Sequence, residues 1–180
     1  MPQLKIAAVL ALAIILQLSL RAVWPPLSYI DFPLVVVVYI ALQRHAWQAL
    51  FVGTIAGLAV DAAGGGLMGA GGFSKTLTAY LIYLAATRVN LENTLLRIPV
   101  LAAASVIDSL IYVFWHRSLG YPPAVPFMQT MSYRLIGTTI AGTFALYLLN
   151  SLFTERARQR RSFASRRKGA RRSASTLKRR

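Results

Sequence analysis

Six apolar runs, bounded by proline, glycine or charge, make up most of residues 4 to 153. The first is Leu4 to Val23, stopped by Trp24-Pro25-Pro26, and the second covers about 27–42, stopped by Gln43-Arg44-His45. The third, 46–63, gives way to a glycine-rich stretch from Gly64 to Gly72; the others are about 73–89, 95–115 and 132–153. A helix needs about 20 apolar residues to cross roughly 30 Å of hydrocarbon. A membrane β-strand needs only about 9–11 and alternates apolar with polar, which these runs do not. The expected fold is an all-α integral membrane protein with six transmembrane helices.

Charge divides the chain into two segments. The formal net charge is +15, from 20 Lys and Arg against 5 Asp and Glu, in a chain that is 56% hydrophobic and 14% charged. A typical soluble domain carries about 25% charged residues. Twelve of the bases lie between Arg156 and Arg180, so residues 1–154 form a nearly neutral apolar body and 155–180 a cationic tail. The tail is rich in Arg, Ser and Ala, with Phe163 and Leu177 as its large apolar residues. Such a segment repels itself and buries too little surface to offset chain entropy, so it is expected to be disordered. With no cysteine in the chain, disulfides, zinc ribbons and thiol nucleophiles are excluded.

Lys5 followed by an apolar core could open a cleavable secretory signal, but no Ala-x-Ala site precedes a polar mature sequence; Arg21-Ala22-Val23-Trp24 follows instead. The first run is therefore expected to be retained. Six spans put both termini on one side, and the basic tail makes that side cytoplasmic by the positive-inside rule. Trp24, Trp115 and Tyr121 then fall near the outer ends, as interfacial aromatics do. The tail, tethered a few residues from the last span, meets anionic lipid at about 1 kcal/mol per basic residue before it meets any nucleic acid. Lipid is the expected partner of the tail, and nucleic acid is not.

Acids deep in apolar runs need an explanation, since each costs about 2.5–3.5 kcal/mol to insert. Asp61 closes the third run in the spacing Gly53-x3-Gly57-x3-Asp61-x3-Gly65-x3-Gly69, and Asp108 lies about two-thirds of the way along the fifth. Four-residue steps advance only about 40° around a helix, so Gly53, Gly57 and Asp61 share a stripe along which another helix can approach to backbone contact. Lys75 and Arg134 fall at comparable depth, which pairs Asp61 with Lys75 and Asp108 with Arg134 or Arg117. The glycine stretch is expected to be a turn. Phe73-Ser74-Lys75-Thr76 lacks a glycine directly before the lysine, so it is not a phosphate-binding loop. His45 and His116 would lie on opposite sides of the membrane, and neither aspartate sits in the setting of an intramembrane protease. No catalytic residue, metal site or cofactor is expected, and the chain is not expected to be an enzyme.

The order Gly53-x3-Gly57-x3-Asp61-x3-Gly65-x3-Gly69, then Ala79-Tyr80-Leu81, Ile107-Asp108 and Val113-Phe114-Trp115, with Pro33 opening the second helix, resembles the rod shape-determining protein family MreD. The resemblance covers roughly residues 4 to 153. It implies a non-catalytic scaffold of the bacterial inner membrane that associates with MreC. Through MreC it would link the MreB filament to the peptidoglycan synthases, RodA and a class B penicillin-binding protein. It further implies a fold similar to the six-helix substrate-binding subunits of energy-coupling-factor vitamin transporters. Gly53, Gly57, Asp61, Gly65, Gly69 and Asp108 become family positions, structural or partner-facing. A transporter subunit remains the alternative: Ala7-x3-Ala11 is present, and Asp61, Lys75, Asp108, Tyr112 and Arg134 could line an outer pocket. Homo-oligomerisation is left open.

Overall fold

The computed structural model describes residues 2–23, 29–64, 67–89, 94–120 and 128–149. Gly65, Trp24, Tyr121 and the tail fall outside these residues. Among the described residues six helices follow one another: α1 (Pro2–Val23), α2 (Phe32–Leu42), α3 (Ala46–Gly64), α4 (Ala70–Arg88), α5 (Thr94–Ser118) and α6 (128–149). The chain divides into two units, Met1–Leu146 and Tyr147–Arg180, and the packing below is that of the first.

Contacts among polar side chains fix the direction of each helix. Gln17, late in α1, accepts from the backbone N–H of Phe32 at the start of α2. Asp61, late in α3, meets the first turn of α4. Lys75 of that same helix reaches Asp108 in the later half of α5, and Arg134, early in α6, reaches Asp31. The six helices therefore alternate in direction, and α1 begins at the end of the bundle opposite these contacts.

α2 is the innermost element. Every residue from Pro33 to Ala41 is buried, and the helix packs against α1, α3, α4 and α5. Four consecutive valines, Val35 to Val38, disfavour a helix on propensity alone. Among the described residues no strand offers their backbone a ladder, so a helix is what satisfies their N–H and C=O groups. Asp31 caps its start, with Oδ1 accepting from the Leu34 N–H at 2.9 Å, and Pro33 sits in the first turn, where a missing N–H costs nothing. Arg44, at φ 63°, ends it in the left-handed conformation that closes many helices.

With 11 residues α2 is about 16 Å long, too short to cross about 30 Å by itself. The expected second span of 27–42 is corrected accordingly: Tyr29 to Asp31 are not part of the helix. Among the described residues three stretches are long and apolar enough to cross a membrane, Gln3–Leu20, Ala46–Gly64 and Leu96–Ser118. The turn expected over Gly64 to Gly72 is also shorter than that, because Gly71 and Gly72 belong to α4.

Among α1 to α5, α3 and α4 share the most extensive interface. Their glycines explain it. A Cβ on Gly57 would land on the Gly71 carbonyl, and one on Gly53 would lie 2.9 Å from the Lys75 carbonyl oxygen. Lipid tails are as apolar as leucine, so close backbone approach and hydrogen bonding carry helix association where the hydrophobic effect does not. Thr54 and Thr76 add a hydroxyl–hydroxyl bond of 2.8 Å across the seam. Gly142 in α6 makes room for side chains instead, since a Cβ there would run into those of Leu101 and Val35.

Candidate functional site

The start of α4 is built around Asp61. A helix begins with free N–H groups, and here a carboxylate from the preceding helix takes them. Asp61 Oδ2 accepts from Gly69, Gly71 and Gly72 at 2.9–3.1 Å, and Oδ1 accepts from Gly71. Gly69 stands at φ 99°, which a side chain would oppose, and a Cβ on Gly71 would collide with the carboxylate itself. The local sequence thus needs glycine at 69 to turn and at 71 to admit Asp61. Negative charge beside a helix amino terminus is favourable as well.

One turn further, Lys75 is 2% exposed. Its ammonium lies 2.5 Å from Asp31 Oδ2 and 3.2 Å from Asp108 Oδ2. Arg134 joins from α6, with Nη2 2.5 Å from Asp31 and 3.6 Å from Asp108. Ser74 donates to Asp108 Oδ1 at 2.7 Å. Thr138 accepts from the Asp31 backbone N–H at 3.1 Å. Two anions and two cations, from the cap of α2 and from α4, α5 and α6, therefore form one closed set. Burying each charge alone would cost several kcal/mol, and the cluster offsets this only because both signs are matched and hydrogen-bonded. Asp108 lies about 15 Å inside α5 from Ser118.

A cavity of about 250 Å³ opens beside the cluster. Gln17, Tyr29, Asp31, Val60, Asp61, Gly64, Gly71, Lys75, Asp108, Tyr112, Thr130 and Arg134 line it. The sequence placed five of these together, Asp61, Lys75, Asp108, Tyr112 and Arg134. The pairing expected of Asp61 with Lys75 is not made: Asp61 serves the α4 amino terminus, and Lys75 turns to Asp31 and Asp108. Asp108 meets Arg134, while Arg117 is exposed at the end of α5. Gly53 and Gly57 lie in the α3–α4 seam, against the backbones of Lys75 and Gly71.

Asp31 is the charged member of the cluster that sequence reasoning missed. It is one of only five acids and stands two residues before Pro33, a helix-start signal that points to a cap. As for catalytic groups, His45 is exposed ahead of α3, and His116 Nδ1 lies 3.0 Å from the Tyr112 carbonyl of its own helix. Among the described residues no group of three His, Cys, Asp or Glu is placed to hold a metal ion. The arrangement is suited to holding four helices in register.

The profile of the rod shape-determining protein MreD matches residues 3–155. The chain belongs to the MreD family. The matched span takes in every member of the charge cluster. No curated protein and no solved structure matches the chain. MreD membership makes this a rod shape-determining membrane protein, in keeping with the three long apolar helices among the described residues, and places it in the machinery to which MreC belongs.

Proposed function

We propose that this protein is a multi-pass scaffold of the bacterial inner membrane that helps maintain rod shape without catalysing a reaction. In this reading all six helices lie within the bilayer, the short α2 being enclosed by its neighbours, and residues 155–180 form a disordered basic tail. The tail sets the orientation. Helices that alternate in direction place the start of α1 and the later part of α6 at one end, and the positive-inside rule makes that end cytoplasmic. The charge cluster then lies in the outer half of the membrane.

As a scaffold it associates with MreC and, through it, links MreB to RodA and a class B penicillin-binding protein. A fold like that of vitamin-transporter binding subunits goes with this reading as architecture alone. The observation that carries the proposal is the family match over residues 3–155. The ion cluster supports it. Asp31, Lys75 and Asp108, each at most 4% exposed, are engaged with one another inside the bundle, as groups that tie helices together are. Gly53, Gly57, Gly69 and Asp61 act as the internal seam, Gly65 continues their spacing, and the lipid-exposed faces of α3 and α5 are left for partners.

In-cell photocrosslinking tests this. A crosslinking amino acid at Phe51 or Ile55 on α3, or at Leu110 or Phe114 on α5, all exposed, is expected to capture MreC or one of the synthases. Capture of lipid alone from all four positions would overturn the scaffold reading.

A further inference from the structure

The scaffold role makes no use of the interior of the cavity. Its charges are balanced. As carboxylates, Asp31, Asp61 and Asp108 contribute three negative charges, and Lys75 and Arg134 contribute two positive ones. The amino ends of α2 and α4 each act as roughly half a positive charge. Both are engaged here: Asp31 accepts from Leu34 in the first turn of α2, and Asp61 from Gly71 and Gly72 in the first turn of α4. A further ion of either sign would upset this balance in a poorly solvated site.

Hydrogen-bonding capacity is not balanced. Both oxygens of each of the three aspartates already accept. Donors are left over among the described residues. Lys75 uses two of its three ammonium N–H groups, and Arg134 bonds through Nη2. Gln17 is 5% exposed; its Oε1 accepts from Phe32, and its carboxamide NH2 is unengaged. All three side chains line the cavity. A concave site with a few convergent polar groups is the usual form of a small-molecule site.

We infer that this cavity binds a small neutral molecule rich in hydrogen-bond acceptors, of the carboxamide class, whose carbonyl oxygens take the spare N–H groups of Gln17, Lys75 and Arg134. Charged analogues of the same size are excluded by the balance already present. The site is independent of the scaffold proposal, since it requires no partner protein.

Three probes sharing one skeleton test it on the full-length protein in detergent: N-acetylglycine methylamide, which is neutral, N-acetylglycine, an anion, and glycine methylamide, a cation. Saturation-transfer NMR is expected to give at least about fivefold more transfer to the neutral diamide than to either ion. Val60→Phe, which fills the cavity from a wall residue outside the ion cluster, should abolish that difference, while Ile55→Phe on the exposed face of α3 should leave it unchanged. Gln17→Glu keeps the oxygen that accepts from Phe32 and replaces the NH2 donor with a carboxylate oxygen. It should move the preference to the cation. Equal transfer to all three probes, or a preference for the diamide that survives both Val60→Phe and Gln17→Glu, would overturn the assignment. Since Gln17→Glu changes the preferred charge, it remains informative if Val60→Phe does not fold.

Discussion

Asp61 and Lys75 are both buried ions, yet removing them has different consequences, because one serves backbone N–H groups and the other serves charges. Asp61→Ala strips the acceptor from three N–H groups at the start of α4, at a cost of about 3 kcal/mol, and Asp61→Asn, which keeps one oxygen, costs about half that. Lys75→Met leaves Asp31 and Asp108 facing each other with Arg134 alone to offset them, a loss of about 3–5 kcal/mol. Equilibrium unfolding in mixed detergent micelles measures all three, and an Asp61→Ala variant as stable as the parent would refute the capping role. At this scale the sequence showed that Asp61 and Asp108 were out of place in apolar runs and that Lys75 and Arg134 were the available cations. It did not show who pairs with whom. Asp61 sits at the end of one helix and eight residues before Gly69, so it reaches the next helix's amino terminus before it reaches Lys75, and that preference depends on backbone geometry that spacing does not contain.

Among the elements, the α3–α4 hairpin depends on missing side chains and α2 on complete ones. Gly57→Ala must push α4 away from α3, because the obstacle is the Gly71 backbone and not a movable side chain, and it should cost about 1–3 kcal/mol. Leu34, 1% exposed in the centre of the bundle, should lose about 2 kcal/mol on truncation to Ala, whereas Leu12, 64% exposed on α1, should change little. The same detergent titration ranks these variants, and equal loss at Leu12 and Leu34 would contradict the central position of α2. The stripe Gly53, Gly57, Asp61 was legible from its four-residue steps. The length of α2 was not, since Leu27 to Leu42 is apolar enough to extend the helix and only the cap formed by Asp31 shows where it begins. Gly71 and Gly72 read as turn residues for a related reason: glycine is a poor helix former, and it is the neighbouring Asp61 that makes helix the better state there.

For the molecule as a whole, body and tail separate in charge, and their stabilities should separate too. Deleting residues 156–180 is expected to leave the unfolding midpoint of the bundle unchanged while reducing its salt-sensitive binding to vesicles containing anionic lipid; a shifted midpoint would tie the tail to the fold. The six-run pattern, the helical class and the family were all legible in the sequence, because apolar length and glycine spacing are local properties. The closed set of Asp31, Lys75, Asp108 and Arg134 was not, as it joins residues up to 103 positions apart. That set has a consequence for how the protein is made. The charges are delivered along the chain as minus, plus, minus, plus, so a nascent chain entering the bilayer from its amino end carries Asp31 unneutralised through the whole synthesis of α3, until α4 brings Lys75. Asp108 then restores the deficit and Arg134 cancels it. The charge set therefore stays incomplete until α6 has been made, and the last helix is the one that closes it.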